Sequence, residues 1–324
     1  MLRKGFRWAR MHPKRSIAFL LLTLFVFLNV LAYRHAHAMT HFADGGSRPS
    51  GPESLSLLGK LKALLGGVEI PRPRNTSTPA DVGLAYQVHT FAGDAGDLEA
   101  WYVPHPKARG LVVMFHGYAA CKAGLLREAK GFHELEYACF LVDFRGSGGS
   151  GGDATTIGYH EADDVERTVA YVCRGWPGER LILFGQSMGA VAVLRALAVN
   201  KVAADATILE CPFDRLLATV ESRFAAMGVP AFPGARLLVF WGGIQQGFNG
   251  FSHNPVEYAR DVTGPVLLLH GTEDPRVSVL QAEAIFESLP GEKQIHFFKG
   301  LGHESFVGKR PDEWTESVGT FLKR

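Results

Sequence analysis

Cysteine is scarce in this sequence. Four of its 324 residues are cysteine, none in a C-x-x-C spacing and none with a histidine partner at metal-site spacing. A zinc ribbon or a thioredoxin-like redox motif is thereby excluded, and Cys121, Cys139, Cys173 and Cys211 are expected to be buried or incidental thiols. Low-complexity tracts and internal repeats are missing as well, which argues against a disordered scaffold or a solenoid. Acidic residues are missing from one place: residues 1–15 hold Arg3, Lys4, Arg7, Arg10, Lys14 and Arg15 and no carboxylate. Those six charges exceed the net +2 of the whole chain, so the rest of it carries a net −4. A basic surface for nucleic acid is therefore not expected in the folded part.

The stretch after these basic residues is apolar. Ile17 to Tyr33 (IAFLLLTLFVFLNVLAY) has only Thr23 and Asn29 as clearly polar interruptions. As a helix it would span roughly 25 Å, slightly short of a ~30 Å hydrocarbon core. Lys14 and Arg34 can reach outward to cover the difference, and Tyr33 suits an interface. Two readings stand: a retained signal anchor, or a signal peptide cleaved near Ala38, since Ala36-His37-Ala38 supplies an A-x-A site. The run exceeds the usual ~7–15 residues of a signal-peptide core, which favours the anchor. In both readings the basic flank lies on the cytoplasmic side and the bulk of the chain is exported, membrane-held in one and secreted or periplasmic in the other.

The chain divides into residues 1–39, a connecting stretch 40–79 and a main domain 80–324. Residues 40–53 are rich in Gly, Ser and Pro and read as a linker, and 54–65 as a short amphipathic helix. In the main domain, strands alternate with helices. Residues 86–91 and 98–103 read as a hairpin, and 110–115, 139–144, 181–185, 206–210, 265–270 and 294–298 as apolar strands. The helices between them lie at 123–135, 161–173, 187–199 and 279–289, with a last one at 312–322. Such alternation implies a mainly parallel sheet covered on both faces, with its ligand site at the carboxyl ends of the strands. Residues 212–260 break the pattern with two helical stretches and several aromatics. They read either as a lid over a pocket or as a packed helical subdomain without a gating role.

The chemistry concentrates at strand ends. Gly185-Gln186-Ser187-Met188-Gly189 is a G-x-S-x-G sequence between an apolar strand and a helix, the setting that presents a serine hydroxyl at the tip of a sharp turn. A second match, Gly148 to Gly152 around Ser150, has no strand or helix at its flanks and reads as a flexible loop. The base expected for Ser187 is His303, in a glycine-flanked loop after the last strand. His116, His270 and His296 lie in or at the tips of strands and read as structural. Asp274, in the loop after the strand 265–270, is the acid chosen to orient His303, with Glu273 and Asp214 as alternatives. Oxyanion donors are expected from the backbone N–H groups of Met188 and of Tyr118, in the loop after the strand 110–115.

In order along the chain, HGY (116–118), DFRGSGGS (143–150), GQSMG (185–189), HGTEDPRV (270–277) and GLGH (300–303) resemble the serine-hydrolase branch of the α/β-hydrolase superfamily, the branch of monoglyceride-lipase-like and serine-aminopeptidase-like enzymes. The resemblance covers about residues 80–324. It implies an eight-stranded, mostly parallel sheet, a short helical lid at 212–260, and hydrolysis through an acyl-enzyme. Arg145 in the DFRGSG stretch is taken as structural. The expected substrate is a small acyl compound, hydrophobic by the aromatic lid and the membrane helix, with an ester favoured over an amide or thioester. No cofactor or metal is required. A non-catalytic protein on the same fold is the rival from another class.

Overall fold

The computed structural model describes residues 13–45, 56, 58–59 and 67–323. Most of the expected helix at 54–65 and the basic residues before Pro13 lie outside that range. Eight strands form one sheet: β1 Gln87–Phe91, β2 Leu98–Val103, β3 Leu111–Phe115, β4 Ala138–Val142, β5 Leu181–Gln186, β6 Ala206–Glu210, β7 Val266–Gly271 and β8 Lys293–Phe298. Their spatial order is β8-β7-β6-β5-β3-β4-β2-β1. β2 runs antiparallel to both its neighbours, and all other pairs are parallel.

The apolar runs lie where the sheet is covered twice. All five residues of β3 are buried, and they alternate between two cores. Leu111, Val113 and Phe115 face one core, with Ala162, Val165 and Val169 of helix α3 (Glu161–Gly175). Val112 and Met114 face the other, with Phe132 of α2 (Leu126–Glu134) and Trp314 and Val318 of α8 (Pro311–Leu322). The sheet is thus sandwiched between helical layers. Helix α4 (Met188–Ala198) follows β5, and α7 (Val279–Ser288) joins β7 to β8. β3 has β4 on one side and β5 on the other, so successive connections diverge there and leave a crevice at the strand ends.

Helix α1 runs from Pro13 to Thr40, 28 residues without a break at Ala36-His37-Ala38. It is the one helix among the described residues long and apolar enough to cross a membrane. Its first half is exposed along Phe19–Leu22 and Leu24–Phe27, whereas Ala32 and Ala36 are buried. Residues 40–43, expected in the linker, are instead bonded to the body. Thr155 N donates to Thr40 O and Phe42 N to Asp153 O, and Phe42–Ala43 pairs in parallel with Ile70–Pro71. The insertion after β6 carries α5 (Leu216–Met227) and α6 (Gly234–Gln246) and contains no strand. α6 packs along α1: Trp241 Nε1 donates to Asn29 Oδ1 (3.1 Å) and Gln245 Nε2 to Tyr33 O (2.9 Å).

The second G-x-S-x-G match corrects an expectation. Ser150 is buried, not on a flexible loop. Its hydroxyl donates to Asp143 O (2.6 Å) and accepts from Glu99 N (2.9 Å). The cause is Asp143, a fully buried carboxylate that accepts from Lys122 N (2.7 Å), Gly149 N (2.9 Å) and Asn75 Nδ2 (2.6 Å) and pairs with the equally buried Lys122 ammonium. Gly148, at φ 51°, passes so close that a Cβ there would overlap the carboxylate. Arg145 is structural as expected, bidentate on the buried Asp164 (2.9 and 2.7 Å). Burial raises the Asp143 pKa, but the Lys122 charge and hydrogen bonds outweigh it and hold the carboxyl below its usual range. Removing one partner of such a pair strands a charge in the core. Lys122→Met is therefore expected to cost about 3–5 kcal/mol. Thermal unfolding followed by circular dichroism would show a Tm lower by on the order of 10 °C; an unchanged Tm would contradict the account.

Candidate active site

Ser187 sits between β5 and α4 at φ 53° and ψ −115°, a region that a non-glycine residue occupies only when its surroundings impose it. Two glycines let those surroundings close in. A Cβ on Gly185 would lie 2.6 Å from the backbone of Ala190, and one on Gly189 would lie 2.3 Å from Phe115 O. Ser187 N donates to Glu210 O at 2.7 Å, which fixes the turn to the end of β6. The hydroxyl points into the crevice beside Gly117, whose added Cβ would touch Ser187 Cβ at 3.4 Å.

The loops after β7 and β8 meet over this serine. Glu273 N donates to Leu301 O (2.9 Å) and Gly300 N to Thr272 Oγ1 (2.9 Å). Gly271 makes the approach possible, since a Cβ there would lie 2.4 Å from Leu301 O. So joined, the loops bring His303 Nε2 to 3.0 Å from Ser187 Oγ and His303 Nδ1 to 2.6 Å from Asp274 Oδ2. Asp274 Oδ1 accepts from Arg276 N (2.7 Å) and Val277 N (3.0 Å). The Asp274 side chain is fully buried; burial pushes its pKa up, but the His303 hydrogen bond and charge with the two backbone donors bring it below its usual value. It can therefore stay anionic beside an imidazolium.

Of the three acids weighed from the sequence, this is the one the fold brings to His303. Asp214 is occupied elsewhere, accepting from Gln281 Nε2 (2.5 Å) and Arg215 Nη1 (2.6 Å), and Glu273 is exposed. The three histidines read as structural have other partners: His116 Nε2 accepts from Phe144 N, His270 Nε2 faces Val277 O, and His296 pairs with Glu313. Met188 opens α4, so its N–H has no carbonyl within the helix to receive it. Tyr118 lies in the turn after β3 and its hydroxyl donates to Met39 O of α1 at 2.6 Å.

Three neighbours of the site have no local signal in the sequence. Cys211, at φ 48° directly after β6, puts its sulfur within 4.8 Å of ligand atoms of Asp274 and His303. A metal does not suit this trio: burial first, then the nearby carboxylates, push the thiol pKa well up, and His303 Nδ1 is engaged with Asp274. All four cysteines are free thiols. Beneath the serine, Glu210 and Glu128 form a buried acidic pair. Glu210 accepts from Trp314 Nε1 (2.9 Å) and Gln186 Nε2 (3.3 Å), and Glu128 accepts from Ser305 Oγ (2.5 Å), two residues beyond His303. Burial, and then the charge of Glu128, push the Glu210 pKa up to about 8.

Similarities to known proteins agree with this architecture. Residues 106–239 match the family described as serine aminopeptidase, S33. The chain is 26% identical over 229 residues to the uncharacterized protein YqkD of Bacillus subtilis, covering 70% of this chain and 75% of that protein. It is 26% identical over 255 residues to a monoacylglycerol lipase of Mycolicibacterium smegmatis, covering 67% of this chain and 90% of the lipase. Among solved structures, an esterase of Pyrococcus furiosus superposes with a TM-score of 0.66 at 24% identity, over 79% of this chain and 97% of the esterase. Strand order, the turn at Ser187 and the superposition together show the α/β-hydrolase fold.

The acidic pair gives a pH dependence of stability. A carboxyl whose folded pKa is raised keeps its proton in the native state after the unfolded chain has lost it, so stability falls as pH rises between the two values. For Glu210 the window runs from its ordinary 4.5 to about 8. Glu210→Gln should flatten the decline of Tm across this window. Parallel Tm–pH profiles for the two proteins would refute the assignment.

Proposed function

We propose that the protein is a serine esterase in which Ser187, His303 and Asp274 act as a catalytic triad on a hydrophobic acyl ester. The observation that carries this reading is the unbroken hydrogen-bond line from Ser187 Oγ through both imidazole nitrogens to Asp274. Ser187 Oγ attacks the acyl carbonyl while His303 Nε2 takes its proton. The backbone N–H groups of Met188 and Tyr118 receive the oxyanion, each worth about 3 kcal/mol in the transition state. His303 then protonates the departing alkoxide, and water, deprotonated by the same nitrogen, releases the acid and restores the serine. Asp274 holds the imidazole in the tautomer this sequence of steps needs.

An ester is preferred because the esterase and the monoacylglycerol lipase resemble this chain and because apolar side chains dominate the insertion. The aminopeptidase description of the matching family favours amide cleavage as the second reading. In our reading α1 is retained as a single-pass anchor, its basic flank on the cytoplasmic side and the hydrolase body on the exported side, and the insertion serves as a lid.

A fluorophosphonate probe should label the wild-type chain and fail to label Ser187→Ala. Asp274→Asn should lower kcat on p-nitrophenyl esters by about 10,000-fold, because the neutral amide favours the wrong tautomer. Turnover of aminoacyl p-nitroanilides with none of p-nitrophenyl esters would replace the esterase reading by the peptidase one. An unlabelled but folded wild type would remove both.

A further inference from the structure

The cleft between α1 and the insertion has no part in the proton transfers among Ser187, His303 and Asp274. Ala36, Met39 and Thr40 of α1 form one wall, and Leu216, Val220 and Leu238 of α5 and α6 face them. Its volume is about 40 Å³, room for a few waters and far too little for an acyl chain. Ile157, at φ 57°, lies at its floor, and the adjoining Gly158 presses on α4, where a Cβ would meet Val191 at 2.9 Å and Met188 O at 3.1 Å.

The α1 wall reaches both residues assigned to the oxyanion. Met39 O accepts from the Tyr118 hydroxyl at 2.6 Å. Thr40 O accepts from Thr155 N at 2.8 Å, and Thr155 Oγ1 lies 3.4 Å from Met188 Sδ. Ala36 and Gly242 allow the two helices to approach closely, a Cβ on Gly242 standing 3.9 Å from that of Ala36. Outside the cleft, Phe25, Val26 and Val30 of α1 and Phe240 and Ile244 of α6 are all exposed. An exposed apolar surface of this extent, continuous with a helix able to span a bilayer, belongs in lipid rather than water.

We propose that α1 is a wall of the acyl-chain site and that the substrate is a long-chain acyl ester drawn from the bilayer through the seam between α1 and α6. This rests on the serine-esterase reading. The seam is closed in the arrangement described, so the two helices part to admit the chain, and the hydrocarbon tail then fills the space lined by Ala36, Val220 and Leu238 while its carbonyl reaches Ser187. The helix is therefore working structure in the mature enzyme. Cleavage after Ala38 would remove Ala36 and leave Met39 and Thr40 without the helix that holds them.

The test uses the full chain in phosphatidylcholine nanodiscs, with p-nitrophenyl acetate and p-nitrophenyl laurate as substrates and fluorophosphonate labelling in parallel. Ala36→Phe and Leu238→Trp should lower the laurate-to-acetate ratio of kcat/KM by about tenfold or more, as loss of a chain pocket does. If Ala36→Phe loses labelling and so has not folded, Gly242→Val fills the same space from the opposite helix and decides. An unchanged ratio in labelled variants overturns the proposal. So does a membrane-extracted chain that begins at Met39 and hydrolyses laurate at the full rate. Absence of labelling in the wild type would instead defeat the serine-esterase reading, which keeps the two failures apart.

Discussion

The candidate site depends on backbone contact so close that side chains are excluded from it. Gly189 lies against Phe115 O, Gly185 against Ala190, and Gly271 against Leu301 O, each at a distance a Cβ would not survive. The first two contacts clamp the turn that carries Ser187 between β3 and the start of α4, so a serine at φ 53° persists where an isolated chain would relax. The third draws the acid-bearing loop against the histidine-bearing loop. Remove any of the three and the distances from Ser187 to His303 and from His303 to Asp274 have nothing to hold them.

Buried charge supplies the second layer of support. Asp143 and Lys122 pin the glycine-rich loop beside the crevice, Arg145 and Asp164 tie that loop to α3, and the buried Glu128 accepts from Ser305 beyond the histidine. These groups are costly to bury, and each is engaged by hydrogen bonds. Removing one partner would leave an unmatched polar group in a closed interior, so the loops around the crevice have few alternative settings.

Ser187 was legible in the sequence because its signal is local: strand, glycine, serine, glycine and helix all fall within seventeen residues. The eight-stranded, mostly parallel sheet followed from alternation and resemblance, and the boundaries of most strands agree to within a residue or two. The pairing of Asp274 with His303 needed more, because Asp214 also follows a core strand and only the contact between the β7 and β8 loops decides between them. Ser150 misled because a motif shows its residues but not the buried carboxylate folded around it. Glu128, Glu210 and Cys211 were invisible for the same reason. Their contacts join residues up to 177 positions apart, and nothing in either neighbourhood announces the other. The packing of α1 on α6 was equally out of reach, since an apolar helix looks the same in sequence whether its far end is solvated or seated.

The unbroken run of α1 into the body has a mechanical consequence. From Pro13 to Thr40 the helix measures about 42 Å, of which the apolar run 17–33 makes up roughly 25 Å, and its last turns are bonded to the body rather than to a flexible tether. An apolar run shorter than the hydrocarbon core is accommodated by local thinning of the bilayer and by flanking side chains that reach outward. In the anchored arrangement proposed above, a rigidly attached body moves with that adjustment. Bilayer thickness would then set how close the crevice sits to the headgroups, a quantity that a loosely leashed body would not register.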